Sequence, residues 1–293
     1  MGKVHFICFL ADENNQPISQ YFDRCDDFKD GFAQVELNGK WNLINEDGKL
    51  LSGQWFDYCS DFYKGFAEVR LDHKYNFIDK NGNILSEQWF DYCSFFYEGF
   101  AQVSLNGKYN FIRKNGKLMS EQWFDDCRLF HNGLSIVEVN EQCNFIDQAG
   151  KPLSDQWFDD CGRFNDGFAV VGLDDKWNFI DQEGKLLSNQ WFDLCHGFSE
   201  GFSAVRLNDK WNFIDIEGKL LSDQWFDGCG SFRHGFALVS LNGKWNFINK
   251  EGKIISKQWF NNSRPFYSNC FASVKIGEKW YKMDTNGKIM DKQ

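Results

Sequence analysis

The 293 residues are 42% hydrophobic and 25% charged, the balance of a globular chain, with aromatic residues at an unusual 18% and only 3 prolines. Acidic residues outnumber basic ones by 42 to 32, giving a net charge of −10, and no Lys/Arg cluster interrupts that excess. A surface that tracks phosphates is therefore not expected, nor a nucleic-acid partner. No apolar run approaches the ~20 residues that cross a bilayer, so membrane insertion is not expected either.

The chain opens on Lys3-Val4-His5-Phe6-Ile7, which matches a Lys-Trp-Asn-Phe-Ile strand seen in later copies. It thus begins inside a unit, with residues 1–30 as a half-unit cap and first linking segment. The stretch 1–11 lacks the length and cleavage region of a signal peptide. Gly2 invites a myristoylation reading, but Phe6 stands where that motif wants Ser or Thr. A cytoplasmic location is the expectation. Residues 12–17 carry three more positions than the equivalent stretch of later units and read as a solvent-facing turn.

Trp55, Trp89, Trp123, Trp157, Trp191, Trp225 and Trp259 follow one another at intervals of 34 residues. A fixed period of this size marks a repeat protein, in which one supersecondary unit must stack on its neighbours to bury its apolar face. From Gly31 onward each repeat starts with a stretch such as Phe32-Ala33-Gln34-Val35-Glu36-Leu37, whose period-2 alternation predicts a half-buried strand. Asn38-Gly39 then predicts a type I′ hairpin, because both central residues need positive φ. Lys40-Trp41-Asn42-Leu43-Ile44 is the return strand. A turn over Asn45-Glu46-Asp47-Gly48-Lys49 leads to a predicted third strand, Leu50-Leu51-Ser52, and Gln54-Trp55-Phe56-Asp57 adds a short strand and a crossing loop. In the fourth repeat Leu134, Ser135 and Cys143 replace Phe, Ala and Trp. The last repeat has one extra residue between Phe266 and Phe271, puts Cys270 in the Gly place, and carries Tyr281-Lys282-Met283 for Asn-Phe-Ile, as suits a strand with no following neighbour. The fold expected is all-β: tandem 34-residue β-meanders stacked as an open solenoid or superhelix, one array over 1–293, with seven regular repeats over 31–268 and a cap over 269–293. A closed β-propeller is the alternative, since three or four strands can make a blade.

Seven of the ten cysteines, Cys25, Cys59, Cys93, Cys127, Cys161, Cys195 and Cys229, share one repeat position. Equivalent side chains on stacked repeats point the same way, so bridges among them are not expected. They read as small buried hydrophobes kept reduced.

The recurring Gly-Phe-Ala-x-Val-x-Leu-x-x-Lys-Trp-x-Phe-Ile-Asp-x-x-Gly-Lys resembles the WG (KWG) β-repeat family of bacterial proteins, over Lys3 to about Met290. The resemblance implies an all-β repeat fold and an interaction role, and it transfers no catalytic residue. One departure is systematic: Asn42, Asn76, Asn110, Asn144, Asn178, Asn212 and Asn246 stand where that family has Gly. Because Asn tolerates positive φ best among non-Gly residues, a bulge or left-handed site is expected there. The final hairpin, Lys279-Trp280-Tyr281-Lys282-Met283-Asp284 with Gly287-Lys288-Ile289-Met290, is also similar to the aromatic hairpins of choline-binding repeats.

Each candidate site competes with a packing role for the same residues. The Gln-Trp-Phe-Asp segments offer a sugar platform, Trp for stacking and Gln and Asp for hydroxyls, yet a segment that recurs in every repeat is what a seam demands. Cys127 with His131, and Cys195 with His196, lack the spacing of structural zinc, and no Cys-x-x-Cys, His-Glu-x-x-His, Gly-x-Ser-x-Gly or phosphate-loop pattern occurs. No catalytic, metal or cofactor site is expected. What varies between repeats is the pair Gln34/Glu36, Glu68/Arg70, Gln102/Ser104, Ile136/Glu138, Val170/Gly172, Ala204/Arg206, Leu238/Ser240 and Ser273/Lys275. A variable row on a regular scaffold is how repeat proteins build a binding surface, and Glu36, Arg70, Ser104, Glu138, Arg206, Ser240 and Lys275 form the candidate one. The chain therefore reads as a non-enzymatic protein-interaction scaffold. A glycan- or cell-wall-binding module using exposed aromatics is the second reading.

Overall fold

The computed structural model describes residues 8–9, 16, 19–267 and 271–292. The opening strand match at 3–7, nearly all of the 12–17 turn, and Cys270 lie outside the described residues. Two compact units result, the first running to Glu141 and taking in Phe145–Pro152, the second comprising Gln142–Asn144 and the chain from Leu153.

The described chain is all-β and tandem. In the first unit, three-stranded antiparallel sheets form from Arg24–Cys25, Phe32–Leu37 and Lys40–Asn45, and again from Tyr58–Cys59, Phe66–Leu71 and Lys74–Asp79. The second unit repeats the design with Asp160–Cys161, Phe168–Leu173 and Lys176–Asp181 and closes on a four-stranded sheet. The hairpin register is the one that a two-residue Asn38-Gly39 turn dictates, Gln34 opposite Leu43 and Glu36 opposite Trp41. Its turn is of the I′ kind, with Asn38 at φ 52° and Gly39 at φ 74°. A second tight hairpin, unforeseen, precedes the long strand of each of the seven regular repeats: Lys29 and Phe32, for one, exchange both backbone hydrogen bonds across Asp30-Gly31, whose φ values are 51° and 84°.

The third strand is not the one expected. Leu50-Leu51-Ser52 makes a single bridge, Ile44 to Leu50, and the sheet is instead completed on its other edge by Tyr58–Cys59 pairing with Phe66–Leu71. The reason lies in Asn42. Its amide Nδ2 donates to Ser52 O (2.8 Å) and Gln54 O (3.1 Å), while its Oδ1 accepts from Leu43 N (2.8 Å). The chain from Ser52 to Gln54 thus arches over a buried carboxamide and rejoins the strand edge only at Phe56, which exchanges backbone hydrogen bonds with Trp41. Asn76, Asn110, Asn144, Asn178, Asn212 and Asn246 donate their Nδ2 in the same way. None of these Asn residues has positive φ, so the expected left-handed site is absent. Asn is required for its amide, which satisfies carbonyls that the arch would otherwise bury unpaired.

Packing between repeats is aromatic. Phe66 meets Phe96 at 4.8 Å between centroids, Phe100 meets Phe130 at 4.7 Å, and in the second unit Phe202 meets Phe232 at 4.7 Å. A typical core joins Leu43 and Phe56 to Cys59, Phe62, Ala67, Val69 and Ile78 of the following sheet, with half-buried Trp41 and Trp89 against it. Close approach of backbones fixes the stacking: a Cβ on Gly82 would stand 2.1 Å from Leu51 O, and one on Gly184 1.8 Å from Leu153 O. The final strand Lys279–Asp284 has a neighbour after all, because Ile289–Lys292 covers its edge. Pairing slips between Arg264 and Tyr267, next to the extra residue of the last repeat.

Two disulfides overturn the reading of the whole cysteine column as reduced: Cys8–Cys25 and Cys143–Cys161. The column cysteines do not pair with one another. Each bridged one instead meets a cysteine standing where other repeats have an aromatic ring, for Cys143 occupies the Trp41 position and Cys8 makes with Phe22 the bridge that Trp41 makes with Phe56. Sequence logic considered the column alone and missed this cross-strand partner. The step from free thiols to a reducing compartment falls with it.

Candidate functional site

The Gln-Trp-Phe-Asp segments are used up by the scaffold. Phe56 and its equivalents are buried, and the Trp that precedes each lies half-buried on the core of the preceding repeat, as Trp89 does on Phe56 and Val69. The Asp is a clasp. Asp57 accepts from Lys40 Nζ and from the turn amide Asp72 N (2.7 Å), and Asp193 accepts likewise from Lys176 Nζ and Asn208 N (2.6 Å). Each carboxylate thereby ties the hairpin before it to the hairpin after it. The lysine hydrogen bond first and the turn amide second hold Asp57, Asp91, Asp193 and Asp227 below the usual carboxylate range. The Gln side chain takes no such part. Gln54 and Gln88 lie exposed.

The variable row lies in the central strand of each sheet, flanked on both sides, and is less open than a solvated row. Ser104 and Ser240 are buried, at 9% and 8% exposure, while Glu36, Arg70, Glu138, Arg206 and Lys275 are half-buried. Arg70 is held over the Tyr58 ring (6.0 Å) and Arg206 over the Trp211 ring (5.8 Å), and the Nε of each is enclosed without a partner. None of the seven lines the aromatic groove of the first unit.

What the structure does bring together is that groove, of about 910 Å³, lined by rings of two successive repeats. Tyr58, Tyr63, Tyr92, Phe95 and Tyr97 wall it and stay 41–61% exposed. They come from the short strands Tyr58–Cys59 and Tyr92–Cys93 and from the loops that follow, where Phe62 and Phe96 turn inward and so press their neighbours outward. Tyr63 meets Phe95 edge to face at 5.8 Å. Lys64 Nζ lies 5.4 Å from the Tyr63 ring and 5.5 Å from the Tyr97 ring, so this wall already carries one cation.

The polar groups of the groove come from the other variable column, that of Gln34 and Glu68. Gln34 Nε2 donates to Asp61 Oδ1 (2.7 Å), and Gln102 Nε2 donates to Cys127 O (2.7 Å). Between these two donors stands Glu68, which as a carboxylate cannot donate to the loop. Among the described residues its side chain has neither a hydrogen-bond nor an ion-pair partner, and burial pushes its carboxyl above the usual range, with Arg70 opposing. Asp61, by contrast, is paired with Lys29 at 2.6 Å. A Tyr held by two repeats only, Tyr58 and Tyr92, with further rings behind it in Tyr58-Cys59-Ser60-Asp61-Phe62-Tyr63 and Tyr92-Cys93-Ser94-Phe95-Phe96-Tyr97, is the sequence signal for this groove.

Neither Cys–His pair has an activated thiol: burial pushes Cys127 up to about 12 and raises Cys195 further. Among the described residues no group of His, Cys, Asp and Glu is placed to hold a metal ion. No helix among them is long and apolar enough to cross a membrane.

The family described as "WG containing repeat" matches eight consecutive stretches, from residues 10–41 to residues 247–280. The chain belongs to the WG-repeat family. Its Trp-Asn in place of Trp-Gly, as at Trp41-Asn42, is explained by the arch that the Asn amide supports. No curated protein matches this WG-repeat chain. Among solved structures it is similar to a eukaryotic initiation factor (11% identity, 96% of this chain and 91% of that one, TM-score 0.38). It is also similar to Kluyveromyces lactis Hsv2p (11%, 77% and 92%, TM-score 0.29) and to the dihydro-heme d1 dehydrogenase NirN (12%, 85% and 70%, TM-score 0.29). At such scores these likenesses carry no argument about the fold or the site.

Proposed function

We propose that this WG-repeat protein is a non-enzymatic protein-interaction scaffold that docks its partner in the aromatic groove of the first unit. The observation that carries the reading is the exposure of five large rings at positions where packing asks for none. The first repeats of the second unit hold Asp160, Arg163 and Asn165, then Leu194, Gly197 and Ser199 at these positions, and a ring returns only in the last repeat, at Tyr267. Rings exposed together on one face are the composition of an interface centre, where Tyr, Trp and Phe concentrate binding energy. Fixed scaffold positions with locally varied loops are how repeat proteins acquire a partner. Burial and the Glu68 charge push the Cys93 thiol of the groove well up, which disfavours a nucleophilic thiolate and supports binding over catalysis. Two disulfides support residence in an oxidising compartment.

The reading is tested by placing the photocrosslinker benzoylphenylalanine at position 95, and at the equivalent position 163, in the native cell. Crosslinks to a defined protein from position 95 alone are expected. Glycan-array binding that disappears in Tyr92→Ser, with no protein crosslink, would replace the protein by a sugar ligand.

A further inference from the structure

Glu68 decides what the groove can hold. At its position the preceding and following repeats place a Gln whose amide donates to the next repeat, Gln34 to the Asp61 carboxylate and Gln102 to Cys127 O. Phe95 stands in the place of Asp61 for Glu68, so the bond a carboxylate forgoes there is the one Gln102 makes to the backbone. Desolvating a charge without a partner costs stability unless something supplies one. The groups that face Glu68 are the Tyr58, Tyr92 and Cys93 side chains, whose ionisation it opposes, and Arg70 two residues along its own strand. Arg70 is committed to the Tyr58 ring and forms no ion pair with Glu68. The groove therefore has aromatic walls, which attract cations through the negative faces of their rings, and one unspent negative charge among them. Lys64, resting between Tyr63 and Tyr97, shows within this chain that such rings take an ammonium group.

We infer that the groove recognises a basic side chain, Lys or Arg, on an extended segment of the protein partner, with the cation paired to Glu68 and its methylene stem along Tyr58 and Tyr92. The volume of about 910 Å³ lies at the upper end of the ~300–1,000 Å³ typical of ligand sites, enough for a few residues of chain and more than a lone cation needs. The inference rests on the groove being the docking site proposed above. It specifies the chemistry of the occupant.

The test uses the full chain with ¹³C-labelled Glu and Tyr, titrated with acetylated, amidated Gly-Leu-X-Leu-Gly peptides in which X is Lys, Arg or norleucine. The Lys and Arg peptides are expected to shift the Tyr58 and Tyr92 ring signals and to bind at least tenfold more tightly than the norleucine peptide. They should also lower the pKa at which the Glu68 carboxyl titrates, and their binding should weaken as pH falls through that pKa. Glu68→Gln should erase the preference for a cation. Its fold is checked independently by its melting temperature and unchanged signals from the second unit. Three results would overturn the inference: norleucine binding as well as Lys, a preference that survives Glu68→Gln, or free choline binding as tightly as the Lys peptide. The first, combined with crosslinks from position 95, would leave the docking site standing and remove only its charge chemistry.

Discussion

The loops after the short strands differ between the two compact units, although the scaffold beneath them is the same. In the first unit Phe96 is buried against Phe66 and Phe77 at 4.8 and 4.9 Å, and in the second Phe198 is buried against Phe168 and Phe179 at the same distances. The side chains around these two rings diverge. Tyr92, Phe95, Tyr97 and Glu68 in the first unit correspond to Leu194, Gly197, Ser199 and Val170 in the second. The repeats around Phe198 fold on the same plan without these rings and without the lone carboxylate, so folding does not explain them. A cluster that the scaffold can omit is where binding should be sought.

The largest effect should not distinguish the two units. Phe96→Ala and Phe198→Ala each remove a buried ring and leave a cavity, at a cost of about 3–5 kcal/mol. Chemical denaturation of the two variants should show matching losses. A much milder loss at Phe96 would mean that the first unit is packed differently and that the comparison compares unlike things.

Next comes a covalent difference within the second unit. The Cys143–Cys161 bridge closes a stretch with sequence separation 18, a loop whose constraint is worth about 3 kcal/mol. Cys143→Ser should lower stability by that order, and reductant should add nothing further to the loss in this unit. Thiol titration of the denatured, unreduced chain should leave four of the ten cysteines unreactive. In the folded state Cys59, Cys127 and Cys229 should react slowly, since burial pushes each up to about 12. Titration of all ten cysteines without reductant would return them to the thiol state.

Much of this architecture was legible because repetition isolates structure. The 34-residue period, the type I′ turn at Asn38-Gly39 and the register of Gln34 on Leu43 follow from local chemistry. The third strand was misplaced because nothing in Leu50-Leu51-Ser52 reveals that Asn42, ten residues earlier, holds the chain off the edge. The disulfide partners were hidden because Cys143 belongs to a column of rings. The candidate surface was drawn along Glu36 and Arg70, which a central strand half-buries, while Glu68 was noticed only as one variable residue among many. Its significance depends on what Gln34 and Gln102 do with their amides, and that is a fact of three dimensions.

Glu68 also yields a smaller effect, of opposite sign. Its carboxyl is raised in the folded chain, so the fold binds that proton more readily than the unfolded chain does. The ionised group therefore costs stability at neutral pH, and the cost fades as pH falls through the folded pKa. Glu68→Gln removes the charge and restores the donor that Gln102 uses toward the backbone of the next short strand, a hydrogen bond worth about 1 kcal/mol. The variant should melt above the parent at pH 7 and lose most of that advantage in acid. A lower melting temperature at neutral pH would show that Glu68 supports the fold, and the case for a stored binding charge would go with it.

The smallest effect on stability should accompany a definite effect on binding. Phe95 is 61% exposed and stands outside the buried clusters, so Phe95→Ser should change the unfolding free energy by no more than about 0.5 kcal/mol. The ring nevertheless braces Tyr63 edge to face and forms part of the groove wall. Losing one aromatic surface from a cation site costs about 0.5–1 kcal/mol, so the Lys peptide should bind roughly two- to fivefold more weakly. Arg163→Ser, at the equivalent place in the second unit, should alter neither quantity. If Phe95→Ser destabilised the chain as a core change does, the exposed rings would belong to the scaffold, and the contrast between the two units would reduce to a difference in packing.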